Sequence, residues 1–251
     1  MVFGCSSGNV PHLFSISSKQ GKSLGYSLDV PVAIVLSHQH VAHELGNIGL
    51  WLDAKSFTVQ HIYREQLPDL PQADLLVALG SPNSVADGFC AAPAQAEINA
   101  VAQWVQLGKP YIGVCFGAQV LACALGGSVR RMPTTYRAYT QLEQVAHRPL
   151  LDGCFAVWHE DAITAPAQAE VLASLPHADM VFRVGNAWGI QPHIEFDAAI
   201  VERLAQAMDV SDHEWQPLRD QLDADSSHSL RAQHLLDGIL ESGELGEIHV
   251  H

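Results

Sequence analysis

Apolar residues in this chain follow two alternating patterns. Residues 32–36 form a short apolar run, the mark of a buried strand. Across residues 42–54, Leu45, Ile48, Leu52 and Trp51 fall at helical spacing. Residues 57–63 and 74–79 read as the second and third strands. Ile98, Val101 and Val105 then mark a helix over 94–107, with Gly108 as its C-terminal stop. Tyr111, Ile112 and Val114 follow as strand formers. Strands alternating with helices predict an α/β fold: a mostly parallel sheet with helices on both faces. Between about 128 and 191, strand-like pieces dominate, at 139–145, 154–157, 170–174 and 180–184. They predict a small antiparallel extension. Residues 197–208 read as a helix.

Both ends of the chain differ from this core. Residues 1–29 are rich in Ser, Gly and Lys without a period, as expected of a flexible lead. From 211 on, Trp215, Leu218, Leu222, Leu230, Leu235, Leu236, Ile239 and Leu240 stand among many charges. They predict two amphipathic helices that cover a core face, with partner docking as the sharper alternative. The expected division is a lead (1–29), a catalytic domain (30–210) and a helical extension (211–251).

The chemistry centres on Gly113-Val-Cys115-Phe-Gly117. A strand, an abrupt turn and a helix meet at a thiol flanked by glycines, the arrangement of a nucleophile elbow. The turn places one sulfur at the sheet's end, over the positive end of a helix, which favours the thiolate. By the same geometry the backbone N–H of Phe116 faces a developing oxyanion. The bland reading of Cys115 is a small buried hydrophobe.

A thiol nucleophile needs a base, and the base needs an orienter. His193 and Glu195 lie two residues apart and would share one side of an extended segment. His159 and Asp161 repeat that spacing. Spacing does not choose between the two pairs.

Four blocks stand in order: Leu79-Gly80-Ser81-Pro82-Asn83-Ser84-Val85, Gly113-Val-Cys115-Phe-Gly117-Ala-Gln119, Trp158-His159-Glu160-Asp161, and Gly189-Ile-Gln191-Pro-His193-Ile-Glu195. Together they resemble the class I glutamine amidotransferase family, the Cys-His-Glu glutaminase of the kind found in GMP synthase. The resemblance covers about residues 30 to 205. It implies Cys115 as nucleophile, His193 as base and later acid, and Glu195 as orienter. It puts His159 in a loop at the rim of the substrate pocket. It implies a second oxyanion donor at Ser81, and substrate contacts from Gly80, Asn83, Gln119, Tyr136, Trp158 and His159.

The chain also departs from the family pattern. Ser81 replaces a usual glycine, and Pro192 and Ile194 replace the usual residues around His193. Trp158 and Glu160 replace small residues of the rim block, and the stretch around Tyr136 lacks the usual acidic-residue-then-glycine signature. These changes leave the reacting groups in place and put the substrate's identity in question. The resemblance implies a thiol amidohydrolase for a γ-glutamyl amide, using no cofactor or metal. The amide is either glutamine, with ammonia passed to a separate synthase, or a γ-glutamyl adduct of a larger amine, such as a ligase would make. A catalytically silent binding subunit is the third reading.

Composition narrows the partners. The chain has 251 residues, 48% hydrophobic and 16% charged, enough for a full core. A net charge of -14, with 13 Lys and Arg and no basic cluster, argues against nucleic acid and anionic membrane surfaces. Five cysteines without C-x-x-C spacing suggest neither a disulfide framework nor a zinc site, and a reducing cytoplasm suits a working thiolate. No apolar run approaches the roughly 20 residues of a membrane span, and no signal-peptide pattern opens the chain. His38, His40 and His43 cluster, but no carboxylate or thiol completes a known metal spacing.

Overall fold

A computed structural model describes residues 30–39, 44–67, 69–86, 90 and 92–242. The lead, His40, His43 and residues 243–251 lie outside the described residues.

The first half is built from β1 (Val32–Ser37), α1 (Gly46–Ala54), β2 (Thr58–Tyr63), β3 (Leu75–Ala78), α2 (Ala92–Gln106), β4 (Tyr111–Val114) and α3 (Phe116–Ala124). The second half adds β5 (Ser128–Gln141), β6 (Glu143–Gln144), β7 (Cys154–Thr164), β8 (Glu170–Leu175), β9 (Ala178–Val184) and β10 (Ala187–Ile190). It ends with the helices α4 (Ala198–Ala207), α5 (Asp212–Ala224) and α6 (His228–Ser242). The main sheet has the order β2-β1-β3-β4-β10-β9-β8-β6. Its first five strands are parallel, and β9, β8 and β6 continue it antiparallel. β5 and β7 form a separate antiparallel ribbon.

The inner parallel strands β1, β3, β4 and β10 are buried on both faces, as their apolar runs require, while β2 forms an exposed edge. Ile48, Trp51 and Leu52 of α1 join Leu235, Leu236 and Ile239 of α6 in the core on one side. Trp104, Phe116, Val120 and Leu121 pack on the other side, from α2 and α3. A third cluster joins α4 and α5 through Ile200, Val201, Trp215, Leu218 and Leu222.

The α/β architecture and the helical C-terminal region agree with the pattern of the sequence. Several boundaries differ for local reasons. The described helix starts at Gly46, whose own φ is +44°; residues 42 and 43 of the expected span lie outside the described residues. The piece expected at 139–145 spans the end of β5, which begins at Ser128, and the separate short strand β6. Arg130, Arg131 and Arg137 make that strand polar, because it belongs to a ribbon rather than to the core. The piece expected at 154–157 extends to Thr164 along the same ribbon. His159 and Asp161 thus lie within a strand, not in a rim loop. Gly108 stops α2 as expected, with φ of +72° and its N–H donating to Val105 O at 2.9 Å. Among the described residues no helix is long and apolar enough to cross a membrane.

Candidate active site

Cys115 directly follows β4 and immediately precedes α3. Its φ of +50° and ψ of -103° are rare for a non-glycine residue and cost free energy on the order of 1–3 kcal/mol. The neighbouring glycines make the turn feasible. A Cβ on Gly117 would lie 2.2 Å from Ala78 O, and one on Gly113 would lie 2.5 Å from the Gly117 backbone. The Cys115 N–H donates to Ile190 O at 2.8 Å, which locks the turn to the end of β10. The thiol is buried at the carboxyl end of the sheet, where ligands of such folds bind.

The segment after β10 brings His193 to the same place. The His193 N–H donates to Ala156 O of β7 at 2.8 Å, and its ring stacks on Phe196 at 4.0 Å between centroids. Nδ1 lies 2.7 Å from Glu195 Oε1, and Nε2 lies 3.1 Å from Trp158 O. Cys115 Sγ is 3.6 Å from that same Trp158 oxygen. Gly80 sits beside both residues: a Cβ there would lie 3.1 Å from His193 Cε1 and 3.8 Å from Cys115 Cβ. Both ring nitrogens of His193 therefore face oxygen acceptors, an arrangement that suits the imidazolium, the form with two donors. Burial alone would push this imidazole down. The Glu195 carboxylate and the Cys115 sulfur outweigh it and hold His193 well above the usual imidazole range.

The second pair does not form a comparable dyad. His159 Nδ1 donates to the backbone carbonyl of Asp161 at 2.7 Å, not to its carboxylate. That carboxylate accepts from Ser84 Oγ at 2.5 Å and lies 3.6 Å from Arg131. His159 Nε2 faces His177 Nε2 at 3.3 Å. Burial drives His159 down to about 4, so it stays neutral at physiological pH.

A cleft of about 520 Å³ opens over Cys115, His193 and Glu195. Gly80, Ser81, Asn83, Gln119, Trp158 and His159 line it. Tyr136 is not among the lining residues; its ring packs against His159 and His177 at 5.9 and 4.5 Å. The Phe116 side chain points into the opposite core, beneath the Arg64 guanidinium, so only its backbone is placed to serve the turn.

Other residues around Cys115 were not among the expected site residues. Gln191 is fully buried with its Nε2 3.7 Å from Cys115 Sγ. Its position in the Gly-Ile-Gln-Pro-His block was the available signal. Arg131, Arg137 and Glu160 add charge to the walls, and Phe196, Leu204, Met208 and Val210 form an apolar side. No local pattern marks those four, because the fold alone brings them to the cleft. His38 reaches Glu65 at 3.0 Å. Among the described residues no three His, Cys, Asp or Glu side chains converge on a metal position.

Comparison with known proteins agrees with this geometry. A family model described as glutamine amidotransferase class-I matches residues 34–198. A GMP synthase [glutamine-hydrolyzing] from Aeropyrum pernix is 32% identical over 182 residues, covering 67% of this chain and 34% of that one. The present chain thus spans about a third of that relative's length. A putative glutamine amidotransferase-like protein YfeJ from Salmonella typhimurium is 29% identical over 176 residues, covering 62% of this chain and 72% of its own. Among solved structures, a glutamine amidotransferase from Thermotoga maritima superposes with a TM-score of 0.72 at 20% identity. That superposition covers 85% of this chain and 99% of the other. With more than half of its length matched by the family model, the chain belongs to the class I glutamine amidotransferase family.

Proposed function

We propose that this chain hydrolyses a γ-glutamyl amide through a glutamyl-thioester on Cys115, within a catalytic unit spanning residues 30–210. The observation that carries this reading is His193, fixed between Glu195 at 2.7 Å and the Trp158 oxygen that it shares with the Cys115 sulfur. His193 takes the proton of the Cys115 thiol as general base, leaving a thiolate. The thiolate attacks the side-chain carbonyl of the substrate. Backbone N–H groups of Phe116 and Ser81 receive the oxyanion. The imidazolium then protonates the departing nitrogen, the C–N bond breaks, and the thioester remains. Neutral His193 next takes a proton from water, which attacks the thioester. Glutamate leaves, and the thiolate–imidazolium pair is restored. Gly80 gives the substrate close backbone access, while Asn83, Gln119, Trp158 and His159 border its amino-acid end.

Two observations bear on what departs. The cleft is roomy at about 520 Å³ and apolar along Phe196, Leu204, Met208 and Val210, which supports a γ-glutamyl adduct of a larger amine. The similarity to GMP synthases supports glutamine as substrate, with ammonia passing to a separate synthase polypeptide. Glutamate release from glutamine and from γ-glutamyl alkyl- and arylamides, measured on the isolated chain, decides between them. Fast turnover of glutamine with no turnover of the substituted amides removes the adduct reading. If a glutamine-like electrophile fails to label Cys115 and Cys115→Ala leaves every activity intact, the silent-subunit reading replaces both.

A further inference from the structure

The backbone that carries the triad acid is held by a side chain far away in sequence. Asn47, buried at the start of α1, donates through Nδ2 to Ile194 O and to Phe196 O, each at 3.0 Å. Its backbone N–H donates to Glu195 O at 3.1 Å. Three consecutive carbonyls, centred on Glu195, are thus received by one residue. Gly46 permits the approach: a Cβ there would lie 1.8 Å from Glu195 O.

Asn47 is itself held by α6. Gln233 Nε2 donates to Asn47 O at 2.8 Å. Asp237 accepts from Trp51 Nε1 at 2.9 Å and pairs with Lys55 at 2.8 Å, fixing the rest of α1 to the same helix. The opposite flank of the segment leads to α6 as well. His193 N–H bonds to Ala156 O on β7, and Arg231 of α6 donates to Cys154 O at 3.0 Å at the start of that strand. Both walls of residues 193–196 therefore rest on a helix that begins 30 residues after the family match ends at 198.

Covering an apolar face would need only Leu235, Leu236 and Ile239. It does not account for a Gln233 amide spent on the backbone of the residue that grips Glu195. We infer that α6, acting through Asn47, is a positioning element for Glu195, so that turnover depends on a helix beyond the residues that the family model matches. The inference rests on the triad roles proposed above. Glu195 orients His193 only while its own backbone is fixed, and small misplacements of such a group are costly to rate.

The test uses the full-length chain and three readouts: kcat and KM for glutamate release, the pH midpoint of Cys115 alkylation by iodoacetamide, and the melting temperature. Asn47→Ala is expected to lower kcat by about tenfold to a hundredfold, and Gln233→Ala by about three- to tenfold, with KM little changed. Looser imidazolium pairing should move the alkylation midpoint to higher pH in both. Gln233→Lys keeps an N–H donor on a flexible stem and should restore much of the loss. If Asn47→Ala does not fold, the partly exposed Gln233 carries the test alone. A lower melting temperature with wild-type kcat and an unmoved midpoint would make α6 a cover only and overturn the inference. Activity retained in Cys115→Ala would instead sink the triad assignment itself.

Discussion

Arg64 and Glu97 meet 3.4 Å apart in a place that solvent does not reach, beneath the nucleophile turn. The guanidinium lies 4.4 Å over the Phe116 ring and donates to Leu79 O at 2.8 Å. One buried cation thereby touches both segments to which oxyanion donors are assigned, the residue after Cys115 and the strand end before Gly80. Burial raises Glu97 above the usual carboxylate range, and Arg64 opposes that shift. Removing one partner strands the other. Arg64→Met alone should cost about 3–5 kcal/mol of stability. Arg64→Met with Glu97→Met should recover all but about 1–3 kcal/mol, the cost of an unpaired Leu79 carbonyl. Urea unfolding of the three proteins measures both numbers. A double variant no better than the single would show that the charges do not compensate each other.

The raised His193 sets the pH dependence. A folded-state value above the ordinary one means that the pairing contributes fully below the usual imidazole value. It is lost as pH rises through the raised value. In the proposed reaction the imidazolium protonates the leaving nitrogen, so kcat/KM should fall on the alkaline side as that proton is lost. Glu195→Gln keeps the shape of the acid but removes its charge. The alkaline limb should then move to lower pH by about one unit or more. A limb that stays in place in Glu195→Gln would mean that His193 is not the group being titrated.

How much of this was legible in the sequence depends on how local each signal is. The inner parallel strands β1, β3 and β4 announced themselves because both faces are buried, so their residues are mostly apolar. The elbow was readable because Gly113 and Gly117 mark a close backbone approach within five residues. The partnership of Cys115 with His193 was not local, and spacing left His159 and Asp161 as equals. Coordinates separate the pairs through Ser84, which takes the Asp161 carboxylate. β5 was underestimated because Arg130, Arg131 and Arg137 serve a ribbon edge and break the apolar pattern. Asn47 carried no signal at all, since its partners stand about 150 positions away in the chain.

Gly117 offers a steric test of the elbow. The Cβ of Gly117→Ala would meet Ala78 O at 2.2 Å and Ala78 C at 2.8 Å, backbone atoms that cannot rotate away. α3 must then move off β3, carrying the nucleophile turn with it. The expected cost is about 1–3 kcal/mol or more of stability, with turnover lost along with it. Gly126→Ala is the control. Its φ of +85° strains an alanine by about 1–2 kcal/mol. Nothing stands within 4 Å of the added carbon, so turnover should be unchanged. Equal turnover in the two variants would show that the close packing of α3 on β3 does not hold the nucleophile.

His159 separates the two candidate bases and also gives the fold an acid limit. Its value of about 4 arises first from burial, helped by the facing His177. A histidine depressed in the folded state contributes stability above its ordinary value, and that contribution disappears as pH falls through the folded value. The window therefore runs from about 6.5 down to 4, and the total at stake is on the order of 3 kcal/mol. Urea unfolding at intervals across that window should show stability falling with pH in the wild type. His159→Gln should remove most of that slope. The same variant should keep most of kcat and raise KM, because His159 borders the cleft while its Nδ1 is committed to Asp161 O. His193→Ala should abolish hydrolysis. If instead His159→Gln were dead and His193→Ala active, the base would be His159. The Asp161 carboxylate would then have to leave Ser84 to serve it.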